Sequence, residues 1–163
     1  TLELNTLFDA DWNGSDFVHR DSTLLISPFD SREKLTEFLD TAARNIRIMD
    51  AKLTDEELLA LLLRKAQDGV DVKVIGRDTP LDKIVPNFHV RQLGRYKLHA
   101  KCIVVDGTRF FVGSQNLRAV SLDRRREVGI IIEDEAMARK IERVFDGDWL
   151  EATEISPIAQ ASE

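Results

Sequence analysis

The chain has 163 residues, 43% hydrophobic and 32% charged, with a formal net charge of −6. Domains cluster near roughly 100–150 residues, so one packed core is expected and disorder is not. A single cysteine, Cys102, excludes an intramolecular disulfide framework. No apolar run approaches the roughly 18 residues of a membrane span, and the acidic balance weighs against a dedicated nucleic-acid coat.

No charged-then-apolar leader opens the chain, which begins at Thr1 and reads as a processed or excised piece. Residues 1–20 are expected to be a linker or the tail of a preceding repeat. "STLLISP", Ser22–Pro28, reads as a short buried strand stopped by proline. A helix follows, with Asp30 and Glu33 as a capping box and Leu35, Phe38, Leu39 and Ala42 at helical spacing. "IRIMD" (Ile46–Asp50) alternates as a strand. Thr54 and Glu57 form a second capping signature, opening a helix closed by Gly69 whose Leu58, Leu59, Leu61, Leu62 and Leu63 are core. "VDVKVIG" (Val70–Gly76) is a further strand.

Strand–helix–strand–helix–strand predicts an α/β fold, with a mixed, largely parallel β-sheet flanked by α-helices on both faces. Residues 77–97 are less regular, with a short strand at "FHVRQL" carrying a structural His89. "EVGIIIED" reads as a buried strand. "DEAMARKIERVFDGDW" reads as a helix with Met137, Ile141 and Val144 along one stripe, and residues 153–163 as a fraying tail. The domain therefore spans 21–152. One echo crosses it: "LFDADW" ends at Trp12 and "VFDGDW" at Trp149, the spacing of one complete α/β unit.

Charge is uneven. Arg95 to Arg126 holds eight cations against Asp106 and Asp123, net +6, leaving −12 elsewhere. Within it lies "LHAKCIVVDG", Leu98–Gly107, where two cationic residues interrupt an apolar run. Asp-Gly between apolar runs is a strong hairpin signal. With a two-residue turn, Val105 faces Thr108, Ile103 faces Phe110, Lys101 faces Val112 and His99 faces Ser114. Alternation then puts His99, Lys101, Ser114 and Asn116 on one face, with Leu98, Ala100, Cys102, Phe111 and Gly113 on the other. Such a polar patch is costly unless its members pair or meet an anion. Lysine, amide and hydroxyl donors suit phosphate oxygens, and an imidazole can attack phosphorus or shuttle protons. Glu127, opening the next strand, is a candidate to orient the imidazole or to pair with Arg124–Arg126. Three histidines and one cysteine show no paired metal-ligand spacing, and Cys102 reads as an inert buried thiol.

These residues resemble the phospholipase D superfamily, whose hallmark is H-x-K-x4-D, here His99, Lys101 and Asp106. Gly113, Ser114 and Asn116 match its following G-S-x-N, and Glu127 matches a downstream glutamate. The resemblance covers about residues 20–150 and implies the phospholipase D-like fold. It implies His99 as nucleophile, or as the acid of a paired half, with Lys101 and Asn116 on phosphate. Ser114 supports them, Glu127 orients the histidine, and Asp106 and Gly113 are structural. It implies no metal or cofactor. The family pairs two such motifs, so a second half in cis or a homodimer in trans is expected. "GSQNLRAVSLDRRREVGI" and the aromatic echo are closer to tandem, cardiolipin synthase-like proteins, so the chain reads as a C-terminal half. The expected substrate is a phospholipid or another phosphodiester, with room for peripheral membrane contact and nucleic acid disfavoured. The alternatives are a nuclease or other phosphodiesterase of the same chemistry, and a non-catalytic half.

Overall fold

A computed structural model describes residues 2–19, 23–80 and 84–155. In chain order the elements are α1 (Leu2–Asn13), β1 (Leu24–Ser27), α2 (Ser31–Asp40), β2 (Asn45–Asp50), α3 (Glu56–Gln67), β3 (Asp71–Ile75), β4 (Phe88–Gln92), β5 (Lys101–Val105), β6 (Arg109–Gly113), α4 (Ala119–Asp123), β7 (Glu127–Glu133), α5 (Glu135–Glu151) and β8 (Thr153–Glu154). The strands form one sheet in the order β1-β7-β6-β5-β2-β3-β4-β8. Helices cover both faces, as the alternation of elements implies.

The sheet is mixed but not largely parallel. Only β2–β3 and β3–β4 are parallel; the other five pairings are antiparallel. The cause is connection length. The crossover through α3 can return the chain parallel, whereas the tight turn after β5 forces an antiparallel neighbour. β1 does not join β2 but runs along β7 at the far edge, with Ser27 opposite Glu127.

On one face, α2 and α3 bury Leu35, Phe38, Leu39, Leu58 and Leu62 against Ile46, Ile48, Val72 and Val74. Each fully buried leucine contributes about 1.5–3 kcal/mol. On the other face, α5 lays Phe145 and Trp149 on Met49 and Ile75, and Ala138 on Val104 and Phe110. The buried stripe of α5 therefore differs from the expected Met137–Ile141–Val144. Met137 and Val144 are exposed, and Ile141 is only partly covered. The larger aromatics take the inward positions because the sheet there offers flat apolar area and two cations. Arg91 stacks 4.6 Å from the Trp149 ring centroid, Lys73 lies 5.7 Å from it, and Arg91 donates to the Trp149 carbonyl at 2.9 Å.

Both expected caps are redrawn by tertiary contacts. Asp30 stands at the N-cap of α2 without bonding a helix amide. Its carboxylate instead accepts the Ile26 amide at 2.8 Å and meets Lys34 and His19. The cap of α3 is Asp55 rather than Thr54, accepting the Leu58 amide at 3.1 Å. Asp55 also takes both ends of the Arg32 guanidinium, at 2.9 and 2.7 Å, while Arg32 grips Asp123 at 2.8 and 2.6 Å. One arginine thus ties α2, α3 and α4 together.

Residues 153 and 154, expected to fray, form the short β8. Thr153 pairs with Gln92 and Glu154 with Arg91, and the Ile155 amide donates to Val90 O at 3.0 Å. Residues 156–163, and the expected domain boundary at 20–21, lie outside the described residues. Helix α1 buries Leu7 and Ala10 and pairs Asp11 with Arg126 at 3.0 Å, but Phe8 and Trp12 are 64% and 78% exposed.

Candidate active site

The Asp-Gly turn forms with both residues left-handed, Asp106 at φ 55° and Gly107 at φ 66°, and Thr108 N–H donates to Val105 O at 3.2 Å. Asparagine, aspartate and glycine are the residues that tolerate this region. The ladder nevertheless resumes one residue later than expected. Val105 pairs with Arg109, Ile103 with Phe111 and Cys102 with Val112. Thr108 is the extra residue, a bulge the dipeptide signal does not reveal. A one-residue slip exchanges faces. Phe111 therefore joins the α2–α3 core and Phe110 packs under α5. Continuing the ladder one step sets Lys101 against Gly113 rather than Val112. From the other side Lys101 pairs with Asp50 of β2.

Asp106 does more than turn the chain. Its carboxylate accepts the amides of Ala43, Arg44 and Asn45 at 2.9, 2.8 and 2.9 Å, anchoring the entry to β2. Partial burial would raise its pKa, but these three amides and the Arg44 charge override it and hold the carboxyl below its usual range.

The chemistry-bearing residues divide into two groups. His99, Lys101 and Asn116 line one cleft of about 610 Å³, together with Lys52, Gly76 and Leu98. It opens where β2 and β3 end, the usual place for a ligand at the carboxyl ends of parallel strands. His99 is exposed; Lys101 is half-buried and donates from Nζ to the His99 carbonyl at 2.9 Å. Ser114 and Glu127 do not line this cleft. The Ser114 amide and hydroxyl are engaged with β7, the hydroxyl accepting the Val128 amide at 3.1 Å. Glu127 begins β7 and is half-buried, and no hydrogen bond or ion pair among the described residues joins it to His99 or to Arg124–Arg126. Arg126 turns to Asp11 and lies 5.0 Å from the Phe29 ring centroid.

Two supporting residues carry no catalytic motif in the sequence. Gln115, fully buried, donates to Leu25 O at 3.2 Å and Ser31 Oγ at 3.0 Å. Its Oε1 lies across two facing glycines, where a Cβ at Gly113 would come within 2.5 Å and one at Gly129 within 2.7 Å. This close approach is why both positions are glycine. Asp50 ends the apolar "IRIMD" strand, 1% exposed, accepting Lys52 N–H at 2.8 Å and Leu117 N–H at 2.6 Å. Burial pushes its carboxyl up to about 6, against the pull of those amides and of the Lys101 and Arg118 charges. An acidic residue closing an otherwise apolar strand was the available signal. Cys102 is largely buried under α5, which pushes its thiol up to about 11. No cluster of three or more potential metal-ligating His, Cys, Asp or Glu side chains occurs among the described residues, and none of their helices is long and apolar enough to cross a membrane.

The sheet, its helices and the H-x-K-x4-D strand define a phospholipase D-like α/β unit. Residues 35–149 match the family described as "Cardiolipin synthase, PLD-like domain", and the chain belongs to that family within the phospholipase D superfamily. It is 30% identical over 140 residues to a polyphosphate kinase of Mycolicibacterium gilvum, covering 76% of this chain and 19% of that protein. It is 27% identical over 106 residues to the 5'-3' exonuclease PLD3 of Homo sapiens, covering 64% and 19%, and 25% identical over 126 residues to a phospholipase D of Rickettsia bellii, covering 72% and 63%. The chain thus spans about a fifth of the first two relatives. In fold it matches Nuc from Salmonella typhimurium, a phospholipase D family member, with a TM-score of 0.71 at 20% identity, over 81% of this chain and 95% of that one.

Proposed function

We propose that this domain breaks a phosphodiester through a covalent bond between phosphorus and His99, in the manner of a phospholipase D or cardiolipin synthase. The carrying observation is the shared cleft wall of His99, Lys101 and Asn116. The imidazole attacks phosphorus as the P–O bond to the leaving alcohol breaks, and a second acid protonates that alcohol. Water or another alcohol then attacks phosphorus, giving its proton to the same group and releasing neutral imidazole. Lys101 and the Asn116 amide hold the non-bridging oxygens as charge builds there. Glu127 is the carboxylate assigned to orient the imidazole, and Ser114, bonded to the Val128 amide, holds the turn leading to Asn116 against β7.

The second acid comes from a second motif. The aromatic echo supports a preceding half in the same chain. Phe8 and Trp12 stack at 5.9 Å and 20°, and Phe145 and Trp149 at 5.6 Å and 17°. The second pair is buried against its sheet, while the first stands in solvent. A pair built alike but left uncovered fits the sheet of another unit. A second copy of this chain is the other source of the motif.

A second reading, cleavage of nucleic acid, is favoured by the cleft itself. Lys52, Arg77, Arg95 and Lys97 line it around Tyr96, and cations interleaved with an aromatic suit a phosphate strand with stacked bases. The test uses protein carrying both motifs, with radiolabelled phosphatidyl ester and radiolabelled single-stranded DNA as substrates. Acid-labile, alkali-stable label on the wild type and none on His99→Ala supports the mechanism, and the substrate that labels it chooses the reading. Undiminished turnover by His99→Ala overturns it.

A further inference from the structure

The geometry points to Asp50 as a positioning residue for the cleft, fixing Lys101 and Asn116 where they meet a substrate phosphate. This rests on the reading of those two residues as phosphate ligands. Asp50 is buried at the end of β2, beneath the cleft, and each of its carboxylate oxygens is committed. One holds the Lys52 amide at 2.8 Å and the other the Leu117 amide at 2.6 Å. Leu117 directly follows Asn116, so the second bond sets the height and rotation of the asparagine. Lys52 lines the cleft itself. Lys101 lies directly opposite Asp50 across the β2–β5 ladder. The Asp50 backbone also presses on the cleft: a Cβ at Gly76 would come within 2.6 Å of its carbonyl. The Leu117 carbonyl, in turn, accepts the amides of Thr54 and Asp55, each at 3.0 Å. Asp50 therefore links four cleft segments: the Lys52 turn, Gly76, the start of β5 and the Asn116 turn.

A buried carboxylate is an expensive means of joining backbone segments. An amide side chain of the same shape could accept only one of the two N–H groups and would set its own donors against the other. The charge has a further use. Lys101 and Arg118 face Asp50, and its negative charge keeps two cations from repelling each other before substrate arrives. Lys52 contributes only its amide to the carboxylate.

The experiment uses this chain with sulfate, whose charge is constant across the pH range, as the probe. Asp50→Asn should weaken sulfate binding about tenfold, the worth of one charge-assisted hydrogen bond. Phe8→Ala, on α1 and outside the cleft, should change it little. Unchanged sulfate affinity in folded Asp50→Asn overturns the inference. If that variant does not fold, the wild type supplies the answer. As the pH falls through about 6, the Lys52 and Leu117 backbone amides should shift together by NMR, and the Asn116 side-chain amide with them. A His99→Asn background separates Asp50 from imidazole titration. Backbone shifts without movement of Asn116 would make Asp50 structural only and overturn the inference. Asp50-dependent sulfate binding in a protein that cleaves no phosphodiester would leave the inference standing and sink the proposed reaction.

Discussion

Replacing Asp106 tests whether the last residue of H-x-K-x4-D builds the site or works in it. Its carboxylate holds three backbone amides at 2.8–2.9 Å. Hydrogen bonds to a charged acceptor are worth about 1.5–3 kcal/mol each, and these lie at a partly exposed rim, so about 1 kcal/mol apiece is the fair figure. Alanine loses all three and tolerates φ 55° less well than aspartate, a total of about 3–4 kcal/mol. For a domain of this size that lowers Tm by roughly 6–16 °C. Asparagine keeps the shape and the left-handed tolerance but has one acceptor oxygen, so about a third to a half of the loss is expected. The Asp106 carboxyl is held below its ordinary 3.8 in the folded chain. Its contribution is therefore present above 3.8 and lost as pH falls through the folded value. Thermal and urea unfolding of wild type, Asp106→Asn and Asp106→Ala at several pH values provides the assay. The reasoning fails if Asp106→Ala melts with the wild type at neutral pH. It also fails if the gap between wild type and Asp106→Asn does not narrow in acid.

Three further outcomes follow from packing. Gly113→Ala would place a Cβ 2.5 Å from Gln115 Oε1 and 2.8 Å from Phe111 Cζ, costing about 1–3 kcal/mol, whereas Gly147→Ala meets nothing within 4 Å inside α5 and should gain about 0.5–1 kcal/mol, both read by urea titration. Phe145→Ala should cost about 3–5 kcal/mol and Phe8→Ala under about 0.5 kcal/mol by the same assay, because one ring is 1% exposed and the other 64%. With its thiol pushed up to about 11, Cys102 should resist a thiol reagent at pH 8 until the protein is unfolded, and rapid labelling of the native chain would refute its burial.

The strands of the site were legible because their signals are local. Alternation marked β2 and β3, and the Asp-Gly pair marked the hairpin. What the sequence hid depends on contacts distant along the chain. The hairpin register turned on whether Thr108 joins the ladder, which the dipeptide does not decide. Asp30 has the right residue type for a cap but finds His19, Lys34 and the Ile26 amide instead. In α5 the spacing marks a helix but not which stripe faces the sheet, which takes Phe145 and Trp149 and leaves Met137 and Val144 outside. Asp50 stands out only as an acidic residue closing a largely apolar strand, and what it and Gln115 do stays hidden for a simpler reason. Their roles are to accept or donate hydrogen bonds with segments up to 90 residues away, and no local pattern encodes that.

The motif as a whole is more scaffold than chemistry. Asp106 is spent on three amides at the start of β2, and Ser114 on β7. Gly113 exists to let Gln115 and Phe111 approach Gly129. Asp50 performs at the far end of β2 what Asp106 performs at the near end, so the β2–β5 pair is held by a carboxylate at each terminus. Only His99, Lys101 and Asn116 remain turned to the cleft. The three cleft-lining positions are held by the residues between and beside them, which are tied to backbone groups or packed against the sheet. That division sets apart two kinds of loss. Changes at Asp106 or Gly113 should act through unfolding and register, and be partly recovered by conditions that stabilise the fold. Changes at His99, Lys101 or Asn116 should leave Tm within about 2 °C and abolish phosphoryl transfer outright.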